Sequence, residues 1–448
     1  MKVSIQDIVK NDLCTGCGAC ISEANGALAM KWDTYGFLVP TPTNTRVLEN
    51  EAVRVCPFNP QPDEEVKDED KLAGIFLKEA AKFDSRIGRF NNTYVGFSKN
   101  HRISSSSGGI ATYIFEELLR RRIVDHLFVV KEVNGTYEYQ FFDSVESIKA
   151  ISKTRYIPVT LEGLFAQIDQ KEGKIAVSGV ACFIKAIRLK QYYQPELKER
   201  IPFLIGIICG GWKSKFFTDY LAQRSGISGP YTNQEYRVKD LNSRAIDYSF
   251  GAYDQHNQFH RLKIREIGDL WGSGLFKANA CDFCDDVATE LADISLGDAW
   301  IEPYSNDGQG TSVIATRNAL ADQLIRDGID NQTLEVEEIS VDLFKRSQGA
   351  SFKHRQMALK YRVKRMKSQG QLIPYKRKRF FQSIPFEFKL VQKQRMRIRR
   401  RSLEEWKTSP SARSFDQSIA ETKTKLAKLT KQYHRIQRIR RKLRLRTI

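Results

Sequence analysis

Cys14, Cys17 and Cys20 stand in the segment CTGCGAC, and Cys56 follows 36 positions later in VCPF. C-x-x-C-x-x-C with a distant Cys-Pro is the ligand spacing of a [4Fe–4S] cluster. Such a cluster needs four thiolates converging on a cube. Two-residue gaps let one tight loop wrap three corners, and the small Gly16, Gly18 and Ala19 let the backbone approach the sulfides. The alternatives for four such cysteines are a zinc site or two disulfides. Nothing in the chain points to secretion, which disfavours disulfides, and a three-cysteine run at this spacing is poor zinc-knuckle geometry.

In a two-cluster ferredoxin the run reads C-x2-C-x2-C-x3-C-P, and its fourth cysteine serves the other cluster. Here Ala24 and Asn25 occupy the positions of that Cys-Pro, so one complete set remains: Cys14, Cys17, Cys20 and Cys56. The other four cysteines suggest a second site. Cys182 and Cys209 each fall in the turn after a predicted strand, where sites assemble in open α/β sheets, and Cys281-Asp282-Phe283-Cys284 adds a C-x-x-C on a loop. Together they could hold a second iron–sulfur cluster. The competing readings are two ordinary buried thiols beside a C-x-x-C that is redox-active or binds zinc.

Ser105, Ser106, Ser107, Gly108 and Gly109 precede an amphipathic helical pattern in SSSSGGIATYIFEELL. Free N–H groups at a helix start with a glycine-rich approach suit phosphate or pyrophosphate. An ordinary N-cap and loop is the plain alternative, because neither the Rossmann nor the Walker fingerprint is matched. A cluster-bearing chain needs a partner for two-electron chemistry, which favours a dinucleotide flavin at this loop. TRYIP, with Arg155 and Tyr156, and ELADISLGDAW, with Asp293 and Asp298 flanking a predicted strand, are further mixtures of charge, glycine and aromatics. The six histidines are scattered without ligand spacing, and no Ser/His/Asp or nucleophile-elbow pattern occurs.

These residues need elements to position them. From about residue 170, strand–turn–helix units recur in KIAVSGVACFIKAIRLKQYY, IPFLIGIICGGWKSKFFTDYLAQRSG and TSVIATRNALADQLIRDG, with antiparallel signals between them. That alternation predicts a mixed α/β sheet with parallel portions. A strand near Thr93–Ser98, a hairpin turning at Asn134–Gly135 and a short hairpin within Ala27–Pro40 are also expected. The fold class is thus α/β: a small ferredoxin-like [4Fe–4S] module (1–60), an acidic linker (61–90), a mixed α/β flavin domain in two parts (91–168 and 169–340), and a basic helical tail (341–448). The start MKVSIQDIVKNDL has no apolar core of a signal peptide, and the most apolar stretch, Ile201–Trp212, is too short to span a membrane. A cytoplasmic protein is expected.

Residues 1–340 resemble the coenzyme F(420) hydrogenase/dehydrogenase beta-subunit family of iron–sulfur flavoproteins, in a branch associated with bacterial surface-polysaccharide biosynthesis. The resemblance is carried by CTGCGAC with CPF, SSSSGGIATYIFEELL, TRYIP, SGVACFIKAIRLK, IICGGW, and CDFC running into ELADISLGDAW. It implies FAD, at least one [4Fe–4S] cluster, and electron transfer between a flavin and a reduced carrier such as ferredoxin, a deazaflavin or a nicotinamide. The chain departs from the family pattern at Gly179-Val180-Ala181-Cys182, at Cys209-Gly210-Gly211 and at Arg155, where relatives often have Gly-Thr-Pro-Cys, Cys-His-Gly and lysine. An oxidoreductase passing electrons through the cluster to FAD near Ser105–Gly109 and Arg155 is the expected function. The alternative is a non-catalytic electron-transfer subunit or a membrane-associated partner of a polysaccharide-assembly enzyme.

The net charge of +19 is unevenly spread: residues 341–448 hold 33 Lys/Arg against 6 Asp/Glu, and the first 340 residues hold 39 against 47. In the last stretch Ile419, Leu426, Leu429, Tyr433, Ile436, Ile439 and Leu443 recur at helical spacing opposite the charges. A basic amphipathic helix suits the anionic inner face of a membrane, where each Lys/Arg contributes about 1 kcal/mol. An acidic partner protein comes next, and nucleic acid last, since no recognition motif is present. The plain alternative is a helix packed on the body.

Overall fold

Two runs free of charged residues, IAVSGV and FLIGI, form the parallel strands Ile175–Val180 and Phe203–Ile207 at the centre of an eight-stranded sheet. Strands covered on both faces read as unbroken apolar runs instead of alternations. The computed structural model describes residues 3–43, 51–133, 135–151 and 153–445. From edge to edge the sheet runs Leu334–Glu338, Thr93–Ser98, Ser312–Thr316, Ile294–Asp298, Phe203–Ile207, Ile175–Val180, His126–Val133 and Thr136–Phe142. The four strands from Ile294–Asp298 to His126–Val133 are mutually parallel and the outer pairings antiparallel, which is the mixed α/β sheet expected. The Leu334–Glu338 edge turns Glu335, Glu337 and Glu338 outward, charges that discourage edge-to-edge pairing.

Pairing of Val180 and of Leu296 with Ile207 sets three strand carboxyl ends side by side. Residues 91–168 and 169–340 both feed this one sheet, so no structural seam runs between them. Gly135, at φ +81°, helps turn the His126–Val133/Thr136–Phe142 hairpin, and Asn134 lies outside the described residues. The antiparallel signals separate in space. Ser249–Asp254 and Phe259–Lys263 join Tyr231–Val238 in a three-stranded sheet, whereas Ile294–Asp298 sits in the main one.

At the N-terminus, helix Ile5–Lys10 starts from a capping box: the Asp7 N–H donates to Ser4 Oγ (3.1 Å) and the Ser4 N–H to Asp7 Oδ2 (2.9 Å). The expected hairpin forms from Leu28–Trp32 and Leu38–Pro42.

Two expectations need correcting. The stretch 61–90, read as an acidic linker, is folded: it carries helix Glu69–Phe76, capped by Asp68, and the paired strands Lys82–Asp84 and Gly88–Phe90. Asp63, Glu64 and Glu65 are exposed, but the acids of the helix are not solvated spacers. Glu69 pairs with Lys185 at 3.1 Å and with Arg377 at 3.5 Å, and Asp70 pairs with Arg377 at 3.3 Å.

The basic tail is helical as expected, with helices Phe386–Thr408 and Ala412–Leu445 joined by three residues, but most of its apolar stripe faces the body instead of being free. Ile419, Leu426 and Tyr433 are buried, Leu429 packs partly against the same core, and only Ile439 (49 %) and Leu443 (58 %) stay well exposed. Trp406 is 1 % exposed, with ring centroids 5.8 Å from Tyr220, 5.8 Å from Phe276 and 5.6 Å from Phe415. Burying such apolar surface is worth about 1.5–3 kcal/mol per large side chain, so the stripe serves packing first. No helix among the described residues is long and apolar enough to cross a membrane.

Candidate functional site

The loop bearing Cys14, Cys17 and Cys20 leaves helix Ile5–Lys10 and turns twice through left-handed glycines, Gly16 (φ +72°) and Gly18 (φ +76°). Any side chain would strain it. A Cβ on Gly16 would lie 2.8 Å from the Leu38 carbonyl oxygen, and one on Gly18 only 2.0 Å from Thr160 Oγ1. The Leu161 N–H donates to the Cys17 carbonyl (2.9 Å), pinning the loop to the chain ahead of helix Glu162–Gln167. Cys56 arrives from the turn after Glu51–Arg54, and all four thiols line one small cavity of about 20 Å³. Its remaining wall, including Ile5, Ile8, Leu13, Pro57 and Phe58, holds no charged side chain. Burial pushes the Cys56 thiol up to about 12 and raises Cys14, Cys17 and Cys20 as well, with neighbouring cysteines adding to the rise at Cys14, Cys20 and Cys56. Thiolates crowded into an apolar wall are costly unless a metal centre replaces their protons.

The second set assembles at the carboxyl ends of the central parallel strands. Cys182 lies in the first turn of helix Ala181–Tyr193, Cys209 just past strand Phe203–Ile207, and Cys281 and Cys284 in and after the turn Asn279–Asp282. All four line a cavity of about 120 Å³. Burial and the neighbouring cysteines raise Cys182 well above its ordinary range and Cys281 to about 12. Backbone N–H groups donate to sulfur: Gly16 to Cys14 and Gly211 to Cys209 (both 3.3 Å), and Trp212 to Cys281 (3.1 Å). The two sets are neighbours. Thr15 and Phe58 line both cavities, and Cys17 contributes to the rise of Cys182.

All eight cysteines are free thiols. Among the described residues no group of three or more His, Cys, Asp or Glu side chains is arranged to hold a metal ion. The donor sets, eight cysteine thiols around two adjoining cavities, fit iron–sulfur ligation by their chemistry. The charge balance fits too. The second cavity is lined by Lys277, Arg355, Arg362 and Arg395 against one carboxylate, Asp282. Against the cost of burial, Lys277, Arg399 and Arg362 hold Asp282 well below the usual carboxylate range. This cationic surplus suits a thiolate-ligated, negatively charged group.

The Ser-Gly loop has a different character from the one its sequence suggests. Gly109 (φ +80°) is the N-cap of helix Ile110–Arg120, and a Cβ on Gly108 would meet the Gly96 carbonyl oxygen at 2.7 Å. The hydroxyls are engaged within the chain: Ser105 with Thr112 Oγ1 (3.1 Å), Ser106 accepting from the Thr154 N–H (2.7 Å), and Ser107 donating to the Thr311 carbonyl (3.1 Å). Around the loop stand cations. Lys239 donates to the carbonyls of Arg102 and Ser107, and burial together with Arg237, Arg102 and Lys153 pushes it down to about 7. Arg155 lies 4.3 Å over the Tyr137 ring, and its Nε is buried with no partner. Arg237 pairs with Asp298 at 2.5 Å, its guanidinium lying near the Tyr248 and Trp300 rings and its own Nε unpartnered. A lysine pressed by like charges and unpartnered arginine N–H groups fit an anion such as a phosphate.

Tyr156 connects this region to the second cavity. Its ring stands 4.8 Å from Trp271, which lines that cavity, and 5.2 Å from Tyr236. Asp293 does not join the cations. It is buried at the opposite end of strand Ile294–Asp298, about 16 Å away at ~3.3 Å per residue, pairing with Arg188 (3.1 Å) and accepting from the Leu204 N–H (2.7 Å) and Asn318 Nδ2 (2.8 Å). Asp293 therefore ties elements together, while Asp298 neighbours the cation group. Sequence reasoning missed Lys239, Arg237 and Arg102, and the tail residues Arg355, Arg362 and Arg395, because isolated basic residues carry no spacing pattern.

The mixed sheet thus carries one of the two cysteine sets at the ends of its parallel strands. Two family models match the chain, both describing the beta subunit of coenzyme F420 hydrogenase/dehydrogenase. The model of its amino-terminal part matches residues 93–165, and the model of its carboxy-terminal part matches residues 172–342. Together they cover more than half of the chain, which belongs to this family. It is 22 % identical over 311 residues to the F subunit of the F(420)H(2) dehydrogenase of Methanosarcina mazei, covering 66 % of this chain and 78 % of the relative. It is also 22 % identical over 365 residues to the coenzyme F420-dependent sulfite reductase of Methanocaldococcus jannaschii, covering 76 % of this chain and 51 % of the relative. The chain thus spans about half the length of the reductase. A chain of the F420-reducing [NiFe] hydrogenase complex from Methanosarcina barkeri shares the fold, with a TM-score of 0.50 at 19 % identity over 66 % of this chain and 98 % of that one.

Proposed function

We propose that the protein is an iron–sulfur flavoprotein oxidoreductase that takes electrons from a reduced carrier and passes them through two [4Fe–4S] sites and FAD to a substrate. The observation that carries this reading is the pair of adjoining four-cysteine cavities, the second lined by four cations and one carboxylate. Cys14, Cys17, Cys20 and Cys56 would hold one cluster, and Cys182, Cys209, Cys281 and Cys284 the other. Each cluster, when bound, would carry one electron at a time, and FAD would pair them for two-electron chemistry.

Lys239, Arg155 and Arg237 would hold the flavin's pyrophosphate beside the Ser-Gly loop, whose serines keep that loop in shape. Tyr156 and Trp271 would wall the flavin side from the cysteine cavity and exclude water between them. The names of the relatives favour a reduced deazaflavin as the donor, with ferredoxin and nicotinamide carriers as the other candidates, and suggest partner subunits. A subunit that only relays electrons to a partner enzyme is the second reading. A setting in surface-polysaccharide biosynthesis is supported by the family resemblance alone.

A peripheral place at an anionic membrane face is supported by the far end of the helical hairpin, where Phe386, Ile439 and Leu443 are exposed beside exposed Arg435, Arg438, Arg441 and Lys442. An acidic partner protein is the competing occupant. Flotation with anionic vesicles, using full-length protein and a chain ending at residue 430, decides between them, and equal flotation would remove the membrane reading.

The central test is anaerobic purification with iron and flavin assays. About eight irons and one FAD per chain are expected. Four irons would remove the second site, and a preparation without flavin would favour the relay.

A further inference from the structure

The C-terminal segment lies outside both family matches, yet it closes the second cysteine cavity. Arg355 sits in the π-helical turn Lys353–Met357, a rare local geometry that is frequent at functional sites. Its Nη2 donates to Cys284 Sγ at 2.5 Å and its Nη1 to the Cys209 carbonyl at 2.6 Å, so one guanidinium spans two of the four cysteine positions. Arg362 holds that turn in place, donating from Nη2 to the Arg355 carbonyl (2.8 Å), from Nη1 to Gln392 Oε1 (3.1 Å) and from Nε to the Asp282 carbonyl (2.6 Å). Arg395 lines the same cavity from helix Phe386–Thr408. The first cavity is the opposite case in charge: its wall holds no charged side chain, and its sulfurs meet only neutral donors, backbone N–H groups at Cys14, Cys17 and Cys56 and the Thr15 hydroxyl at Cys17.

We propose that the C-terminal arginines form an electrostatic lid that makes the Cys182/Cys209/Cys281/Cys284 site the more easily reduced of the two clusters, so that electrons run from the Cys14/Cys17/Cys20/Cys56 site toward it. The proposal rests on the two-cluster reading above. Each electron added to a cluster adds one negative charge, and the reduced form is stabilised by hydrogen bonds to sulfur and by nearby cations, most strongly where water is excluded. Cys14, Cys17, Cys20 and Cys56 would hold the group that gives up one electron, and Cys182, Cys209, Cys281 and Cys284 the group that takes it up. No bond breaks and no proton moves. The electron is supplied by a low-potential one-electron donor, for which dithionite stands in experimentally. Arg355 is the residue that touches the cysteine positions themselves, and Arg362 is a positioning residue.

The test is a reductive titration of anaerobically prepared full-length protein with dithionite, followed by EPR, with iron measured on every sample. The wild type should show about eight irons and two separate one-electron steps. Cys281→Ser should remove the step of higher potential. Arg355→Gln should retain its iron and lower that same step by at least tenfold in its reduction equilibrium, which is about 59 mV for a one-electron couple, without moving the other step. Arg355→Lys, which keeps the charge, should recover most of that shift. If Arg355→Gln fails to assemble iron, Arg395→Gln must lower the higher step instead, and an unmoved step there overturns the lid. The proposal is also overturned if Arg355→Gln is fully loaded with both steps in place, or if Cys281→Ser removes the lower step. A wild type with only four irons overturns the two-cluster reading itself, and the lid with it.

Discussion

Replacing Trp406 with alanine should release the C-terminal hairpin from the body. The indole is 1 % exposed and faces Tyr220, Phe276 and Phe415 at 5.6–5.8 Å between ring centroids. Truncating a buried tryptophan costs about 3–5 kcal/mol, including the cavity left behind, and each lost ring pair accounts for roughly 0.5–1.5 kcal/mol of that cost. A loss near 4 kcal/mol changes the closed-to-open ratio of the hairpin by roughly a thousandfold, at 1.4 kcal/mol per tenfold.

Native-state hydrogen exchange of amides in Phe386–Thr408 would read the opening directly. Because Arg355, Arg362 and Arg395 belong to the same C-terminal segment, iron release to a chelator should accelerate along with it. Ile439→Ala, at a position 49 % exposed, is the control and should stay within about 0.5 kcal/mol. A cost below about 1 kcal/mol for Trp406→Ala, or an equal cost for Ile439→Ala, would refute the packing of the hairpin against the body through its buried aromatic side chains.

Asp293→Ala should destabilise the fold by about 3–5 kcal/mol, because it leaves the buried Arg188 unpaired. Urea denaturation measures the loss, and the flavin content of the folded fraction should not change. Lys239 supplies a pH signature. Burial and the neighbouring Arg237, Arg102 and Lys153 push it down to about 7 from an ordinary 10.5, so the folded chain holds this proton less tightly than the unfolded one. Unfolding then takes up a proton between about pH 7 and 10.5, and stability rises with pH in that window while the charged form is costly below it. The stability of Lys239→Met relative to wild type should therefore be most favourable near pH 6 and decline toward pH 10, and a flat difference between the two pH values would count against the reading.

Much of the chemistry was legible in the one-dimensional pattern. The spacing of Cys14, Cys17 and Cys20 is local, so the loop that presents them could be read from two-residue gaps and small residues. Cys182 and Cys209 could be placed at strand ends because IAVSGV and FLIGI are short apolar runs that each precede a helix, and the parallel sheet sets those ends side by side. The Ser-Gly loop was legible as a helix entry, but the engagement of its hydroxyls by Thr112, Thr154 and Thr311 was not, because the Thr154 and Thr311 partners lie far along the chain.

What only the tertiary structure decided is where the charges went. The acids of 61–90 read as a solvated linker and the bases of 341–448 as a free cationic tail, since composition alone reports charge without partners. In the fold, Glu69, Asp285 and Glu290 meet Lys185, Lys376 and Arg377 inside the protein, and three further arginines of the tail cap the second cysteine cavity. Burying these carboxylates is tolerated because opposite charges stand beside them, and those opposites lie 87 to 308 residues away along the chain. Spacing within a loop determined the cysteine chemistry, and long-range charge pairing under burial determined the setting in which it operates.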